Sequence, residues 1–246
     1  MTTNETSSEA QRWKPLSSRQ RRVLGVLIEK AKTTPDAYPM TLNGIVSGCN
    51  QKTNREPLMN LVPEDVEQVL EELRGLNAVT EVQGSGRVPK YRHHGYEWLG
   101  VDKTEIAVMT ELLLRGEQTL GDLRGRAARM DPIADLAALK PVVDALLKRG
   151  LMIELTPAGR GQVVSHNLYK ERELTEIKAQ FAGHVPAAGG EDDESSPSPA
   201  RSSAPRSTRP AATADEFAEL SVDLAELRAQ VARLQDRIQS LEAKLA

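Results

Sequence analysis

Histidine, cysteine and side-chain amides are the residues of this chain whose types could do chemistry, and their spacing decides how much. Of the four histidines, His93 and His94 are neighbours on a predicted strand, so their side chains point to opposite faces and cannot share a metal. His166 and His184 stand alone. The single cysteine, Cys49, excludes an internal disulfide and a cysteine-rich zinc site. With Lys52 three positions on it could act as a thiolate, but no base-and-orienter pair accompanies it, and a small buried residue is the simpler role. Gly84-Ser85-Gly86 lacks the following helix and lysine that a phosphate-cradling loop needs. The expectation is a non-enzymatic protein with no metal and no cofactor.

What remains is recognition. Asn50, Gln51, Asn54 and Arg55 lie in a polar insertion, Ser47–Pro57, whose amides both donate and accept while Arg55 presents a fork. They could read base edges or a partner's backbone, or tie the loop to its own helices. Tethering, with surface recognition by Lys52 and Arg55, is the reading favoured here. Further cations cluster at Arg87, Lys90 and Arg92, and on the first helix at Arg19, Arg21 and Arg22. Against them, Pro63–Arg74 carries Glu64, Asp65, Glu67, Glu71 and Glu72 beside Arg74 alone. A net charge of -3 over 246 residues supplies no general pull toward phosphate.

The elements that position these residues occur twice. Val66, Val69, Leu70 and Leu73 form a helical stripe; Asn77 follows where the chain must reverse, and Val79–Val82, a Gly-Ser-Gly turn and Arg87–Arg92 make a hairpin. Adding 73 to each number pairs Val69 with Val142, Leu73 with Leu146 and Asn77 with Gly150. Asn against Gly is the informative match, because the two share tolerance of left-handed backbone rather than hydrophobicity. Upstream, Ser17 with Gln20 and Asp102 with Glu105 are matching capping boxes, and Thr41 and Thr119 begin matching short helices. Each copy reads helix, short helix, helix, hairpin, the pattern of a winged-helix domain.

Cys49-Asn50-Gln51-Lys52-Thr53-Asn54-Arg55-Glu56-Pro57, with Leu27-Ile28-Glu29-Lys30, Thr33-Thr34-Pro35, Tyr38-Pro39 and Thr41-Leu42-Asn43, resembles the YceH-like family of bacterial proteins. The resemblance spans about residues 16–169. It implies a tandem winged-helix fold and brings no established activity.

The expected organisation is mainly α with small β-hairpins (α+β): a disordered tail at 1–15, winged-helix domains at 16–98 and 99–182, a disordered linker at 183–214 and a coiled coil at 215–246. Trp13, the one large apolar residue of the tail, is expected to pack on the first domain, and Leu168–Phe181 reads as a trailing helix. The linker 183–214 loses all apolar periodicity and is rich in Ser, Pro and Ala. Leu220, Leu224, Leu227, Val231, Leu234, Ile238, Leu241 and Leu245 then alternate four and three apart, a heptad pattern suited to a parallel homodimer. A lone amphipathic helix folding back on its own domain is the alternative. Residues 1–15 have no signal-like apolar core and no stretch is long enough to span a bilayer, so a cytoplasmic protein without a membrane partner is expected. Two functional readings follow. Either the protein associates with double-stranded DNA, regulatory or architectural, through Lys52, Arg55, Arg87, Lys90 and Arg92, or it is a protein–protein interaction scaffold using its acidic third helix.

Overall fold

The computed structural model describes residues 13–82 and 88–182. The first hairpin's tip with Arg87, His184, the linker at 183–214 and the heptads at 215–246 lie outside the described residues. In chain order the first repeat contains α1 (Ser18–Thr33), β1 (Met40–Thr41), α2 (Leu42–Cys49), α3 (Pro63–Gly75), β2 (Val79–Val82) and β3 (Lys90–His93). A short helix, α4 (Gly95–Leu99), leads to the second: α5 (Lys103–Arg115), β4 (Gln118–Thr119), α6 (Leu120–Ala127), α7 (Leu136–Lys148), β5 (Met152–Glu154) and β6 (Val163–His166). A final helix, α8 (Glu171–Phe181), follows. The described chain is thus a mixed α/β body in which helices predominate.

Local chemistry sets the helix starts. Ser17 and Gln20 satisfy each other's backbone amides at the head of α1, and Asp102 and Glu105 do the same for α5. Thr41 accepts from the Gly44 amide and Thr119 from the Asp122 amide, so both short helices begin on the same hydroxyl cap.

The two α3-type helices also end alike. Asn77 has φ 56° and Gly150 φ 68°, both left-handed. The Ala78 amide donates to Leu73 O at 3.0 Å and the Asn77 amide to Arg74 O at 2.9 Å. In the second repeat Leu151 donates to Leu146 O at 3.0 Å and Gly150 to Leu147 O at 2.9 Å. This pair of bonds closes the last helical turn and aims the chain into the next strand.

Four features differ from the sequence expectation. Each hairpin is the larger part of a three-stranded antiparallel sheet, ordered β1-β3-β2 and β4-β6-β5. The extra strands are two residues long, too short to alternate. The α4 helix, five residues long, also carries no periodic signal. The trailing helix starts at Glu171 rather than Leu168, because Leu168 and Tyr169 turn inward and are buried. Finally, α1 does not bury one stripe: residues 21 through 29 are all buried, Arg21, Arg22 and Glu29 included.

The reason for this last feature is that α1 packs across α5, itself buried from Glu105 through Leu114, so the repeats share one continuous apolar core. At the crossing a Cβ on Gly25 would lie 2.9 Å from Leu114 Cδ2, which is why glycine stands there. Trp13 joins this core, and the Leu16 amide donates to Leu168 O at 2.8 Å.

A Cβ at position 150 would meet nothing within 4 Å, so any cost of substitution there is backbone strain alone. Gly150→Asn is expected to leave the urea midpoint almost unchanged, whereas Gly150→Val loses about 1–2 kcal/mol. Equal midpoints for the two variants would remove the left-handed requirement.

Candidate functional site

The polar insertion between α2 and α3 is held by its own side chains together with groups of α1 and α5. Asn50 Nδ2 donates to Leu61 O at 2.8 Å while its Oδ1 accepts from the Leu61 amide at 2.8 Å, closing the loop as one rung of a sheet would. Asn54 takes a left-handed φ of 57°, and its Oδ1 accepts from Arg115 Nη1 at 3.2 Å. The Glu56 amide donates to Leu114 O at 2.9 Å, and both of these latter contacts are made by α5 of the other repeat. Arg22 reaches from α1 to Cys49 O at 2.9 Å and to Pro57 O at 2.5 Å, at opposite ends of the motif.

Arg55 corrects the sequence reading most directly: it is no surface contact. It is 3 % exposed and all five of its N–H groups are engaged. Nε meets Gly48 O at 3.0 Å, Nη1 meets Asn54 O at 2.8 Å and Glu29 Oε1 at 3.3 Å, and Nη2 meets Gln51 Oε1 at 2.8 Å and Glu29 Oε2 at 2.5 Å. A guanidinium leaves water only where its donors are met this completely, and an acidic partner on α1 supplies the charge.

Glu29 in turn extends the cluster across the molecule. Its Oε1 lies 2.7 Å from Arg129 Nη2, which also reaches Glu111 Oε2 at 3.1 Å. Glu111 is fully buried, with Arg115 Nε 3.7 Å from its other oxygen. Burial pushes the Glu29 carboxyl up, but the Arg55 hydrogen bond and the charges of Arg55, Arg129 and Lys30 outweigh it and hold the group below the usual carboxylate range. Arg55–Glu29–Arg129–Glu111 is therefore a chain of alternating charge joining the repeats, buried at Arg55, Glu29 and Glu111 and open to solvent at Arg129. Glu29, Glu111 and Arg129 were not singled out from the sequence. The signal was there for the acids, each a lone carboxylate inside an otherwise apolar helical run.

The remaining predicted contact residues divide sharply. Arg21 pairs with Glu173 and lies over the Tyr169 ring at 4.7 Å, and Arg22 is buried, so neither adds to a cationic surface. Lys52, Lys90 and Arg92 are exposed and have no ion-pair partner among the described residues. Lys90 pairs in register with Thr41 and Val82, and Arg92 with Thr80, placing both cations on the outward face of the first sheet. Thr53 and Glu56 are exposed, and Cys49 is fully buried.

Burial pushes the Cys49 thiol up to about 12, which keeps it protonated and out of nucleophilic chemistry. Among the described residues no group of His, Cys, Asp and Glu is placed to hold a metal ion. His93 and His166 are packing histidines: each Nδ1 accepts a backbone amide two residues on, from Gly95 and Leu168. Burial lowers His93 to about 4 and holds His166 well below its ordinary value.

A family model described as "Protein of unknown function, DUF480" matches residues 16–160, a span that reaches from α1 into the second hairpin. A UPF0502 protein of Rhodopirellula baltica is 50% identical over 201 residues, covering 80% of this chain and 85% of that protein. One from Solibacter usitatus is 38% identical over 205 residues, 83% of this chain and 92% of its own. A third, from Burkholderia ambifaria, is 36% identical over 234 residues and covers 94% of this chain, so that match reaches well into the C-terminal segment. The chain belongs to the DUF480/UPF0502 family of uncharacterised bacterial proteins. Among the described residues no helix is long and apolar enough to cross a membrane.

Two outcomes test the site's physics. Glu29→Gln leaves Arg55 and Arg129 without their shared carboxylate and is expected to cost about 3–5 kcal/mol in chemical unfolding, whereas Lys52→Ala stays within about 0.5 kcal/mol. An unchanged Glu29→Gln midpoint would make the cluster ornamental. The histidines give a pH dependence: a depressed histidine must stay neutral in the fold, so stability is full above the ordinary value near 6.5 and drains as pH falls toward the folded one. His93 alone accounts for about 3 kcal/mol by pH 4. His93→Gln should flatten the unfolding free energy between pH 6.5 and about 4; an equally steep profile would exclude His93 as a source.

Proposed function

We propose that this protein is a non-enzymatic, DNA-associated tandem winged-helix protein of the cytoplasm, dimeric through the heptads of its C-terminal segment. The helix, strand, helix, helix, strand, strand order with the first strand beside the last supports a winged-helix reading, and its repetition supports two such modules. The observation that carries the DNA reading is the pair Lys90 and Arg92, exposed side by side on the outward sheet face and without an ion-pair partner among the described residues, as is Lys52 on the motif loop.

The docking this implies is not the common one. Placing α3 in a major groove would bring Glu64, Glu67, Glu71 and Glu72, all exposed, against phosphates. Contact from the sheet face avoids that repulsion and reads backbone rather than base edges, so affinity would be modest and sequence-tolerant. Joining two such bodies by a coiled coil raises the effective concentration of the second contact once the first is made.

Duplex affinity measured across a salt series tests this. Each neutralised phosphate contributes a log–log slope of about -0.9, so Lys90→Ala with Arg92→Ala is expected to flatten the slope by nearly two per chain. An unchanged slope rejects the sheet face as the contact. Leu234→Asp, at a core heptad position, is expected to turn the dimer monomeric by light scattering and weaken duplex binding while residues 13–182 still melt cooperatively. A monomeric wild-type chain ends the coiled-coil proposal.

A further inference from the structure

The acidic helix that disfavours DNA borders a feature of its own. Between the C-terminal end of α3, the start of β2 and α4 lies an open groove of about 830 Å³. Leu76, Val79 and Trp98 give it an apolar floor, and Glu71, Arg74 and Glu97 stand on its walls. Trp98 is fixed there, its Nε1 donating to Leu76 O at 3.0 Å. On the far side of Glu71 and Arg74 a second recess of about 250 Å³ is bordered by Glu67, Glu81 and Tyr91.

The charge of this surface is one-sided. Its one arginine, Arg74, is already engaged by Glu71 at 2.6 Å and Glu81 at 3.4 Å. Glu67 and Glu97 are exposed and have no ion-pair partner among the described residues. An anionic ligand would meet four carboxylates against one spent guanidinium. A cationic one would find Glu97 unneutralised beside the apolar floor and Glu67 unneutralised in the adjoining recess. The second repeat has no such surface: the equivalent helix, α7, exposes Lys140 and Lys148, and Arg149 at its end is tied to Glu105 and Gly100 O.

We propose that this groove docks a Lys/Arg-rich segment of a partner protein, an apolar side chain seated over Leu76, Val79 and Trp98, one cation meeting Glu97 in the groove and another reaching Glu67 in the adjoining recess. The groove is open and of about 830 Å³, which suits an extended peptide better than an enclosed small molecule. The inference does not rest on duplex binding by the sheet face: the groove adjoins that face at Thr80, the register partner of Arg92, but its own carboxylates favour a cationic partner.

The full-length chain gives a direct readout, since its two tryptophans, Trp13 and Trp98, supply two indole N–H signals of which only Trp98 lines the groove. The probe is a short labelled peptide alternating Lys or Arg with Leu, beside a counterpart with Glu in place of the cations. The cationic peptide is expected to shift the Trp98 indole and not that of Trp13, and the acidic one to shift neither. Glu67→Gln with Glu97→Gln removes only exposed, unpaired charges and should weaken binding by about two- to fivefold per site. Asp144→Asn on α7 should leave it unchanged. Equal binding to the Glu67/Glu97 variant, a shift confined to Trp13, or no binding at low salt overturns the proposal. So does a duplex oligonucleotide whose binding is weakened by Glu67→Gln with Glu97→Gln rather than by loss of Lys90 and Arg92, because the groove would then serve nucleic acid.

Discussion

Everything else in this fold is arranged around a carboxylate that has no access to water. Glu29, 2 % exposed at the centre of α1, is tolerable only because Arg55 and Arg129 reach it from opposite halves of the molecule. Such buried ion pairs contribute little net stability compared with well-packed apolar residues; what they impose is a penalty on every arrangement in which a partner is missing. Sliding α1 by one turn along α5 would take Glu29 away from Arg129 and from the buried Arg55. The apolar core alone would accept several such offsets. The ionic chain accepts one.

That constraint explains why a sequence dense in arginine presents so little positive surface. Arg21, Arg22, Arg55, Arg124, Arg126, Arg129 and Arg149 are all committed to acceptors within the body. The motif loop shows the same economy. Asn50 closes it, Gln51 and Asn54 accept from Arg55 and Arg115, and Lys52 and Thr53 are left to face outward. Much of its polarity serves the backbone and charged groups it must satisfy at a junction.

The repeat, the paired capping boxes and the left-handed residues at 77 and 150 were legible because each is a local event with its own chemistry. Strands of two residues leave no such trace, and neither does the all-round burial of α1, which depends on a helix about eighty residues away. Arg55 was misjudged for the same reason. A fork-shaped cation in a polar loop looks like a recognition residue until its acceptors are found, and Glu29 and Gly48 lie upstream in elements that local reading assigns to other tasks. Lys52, Lys90 and Arg92 are exposed, and among the described residues no carboxylate pairs with them.

The bond between the Leu16 amide and Leu168 O, reinforced by Arg21 and Glu173, brings the first and last parts of the described body together. Tension applied through the two ends of the polypeptide would therefore load this small clasp before it reached either half. The interior helices would feel strain only after the clasp had parted, so a body tethered at its tail could yield locally and close again without losing its core.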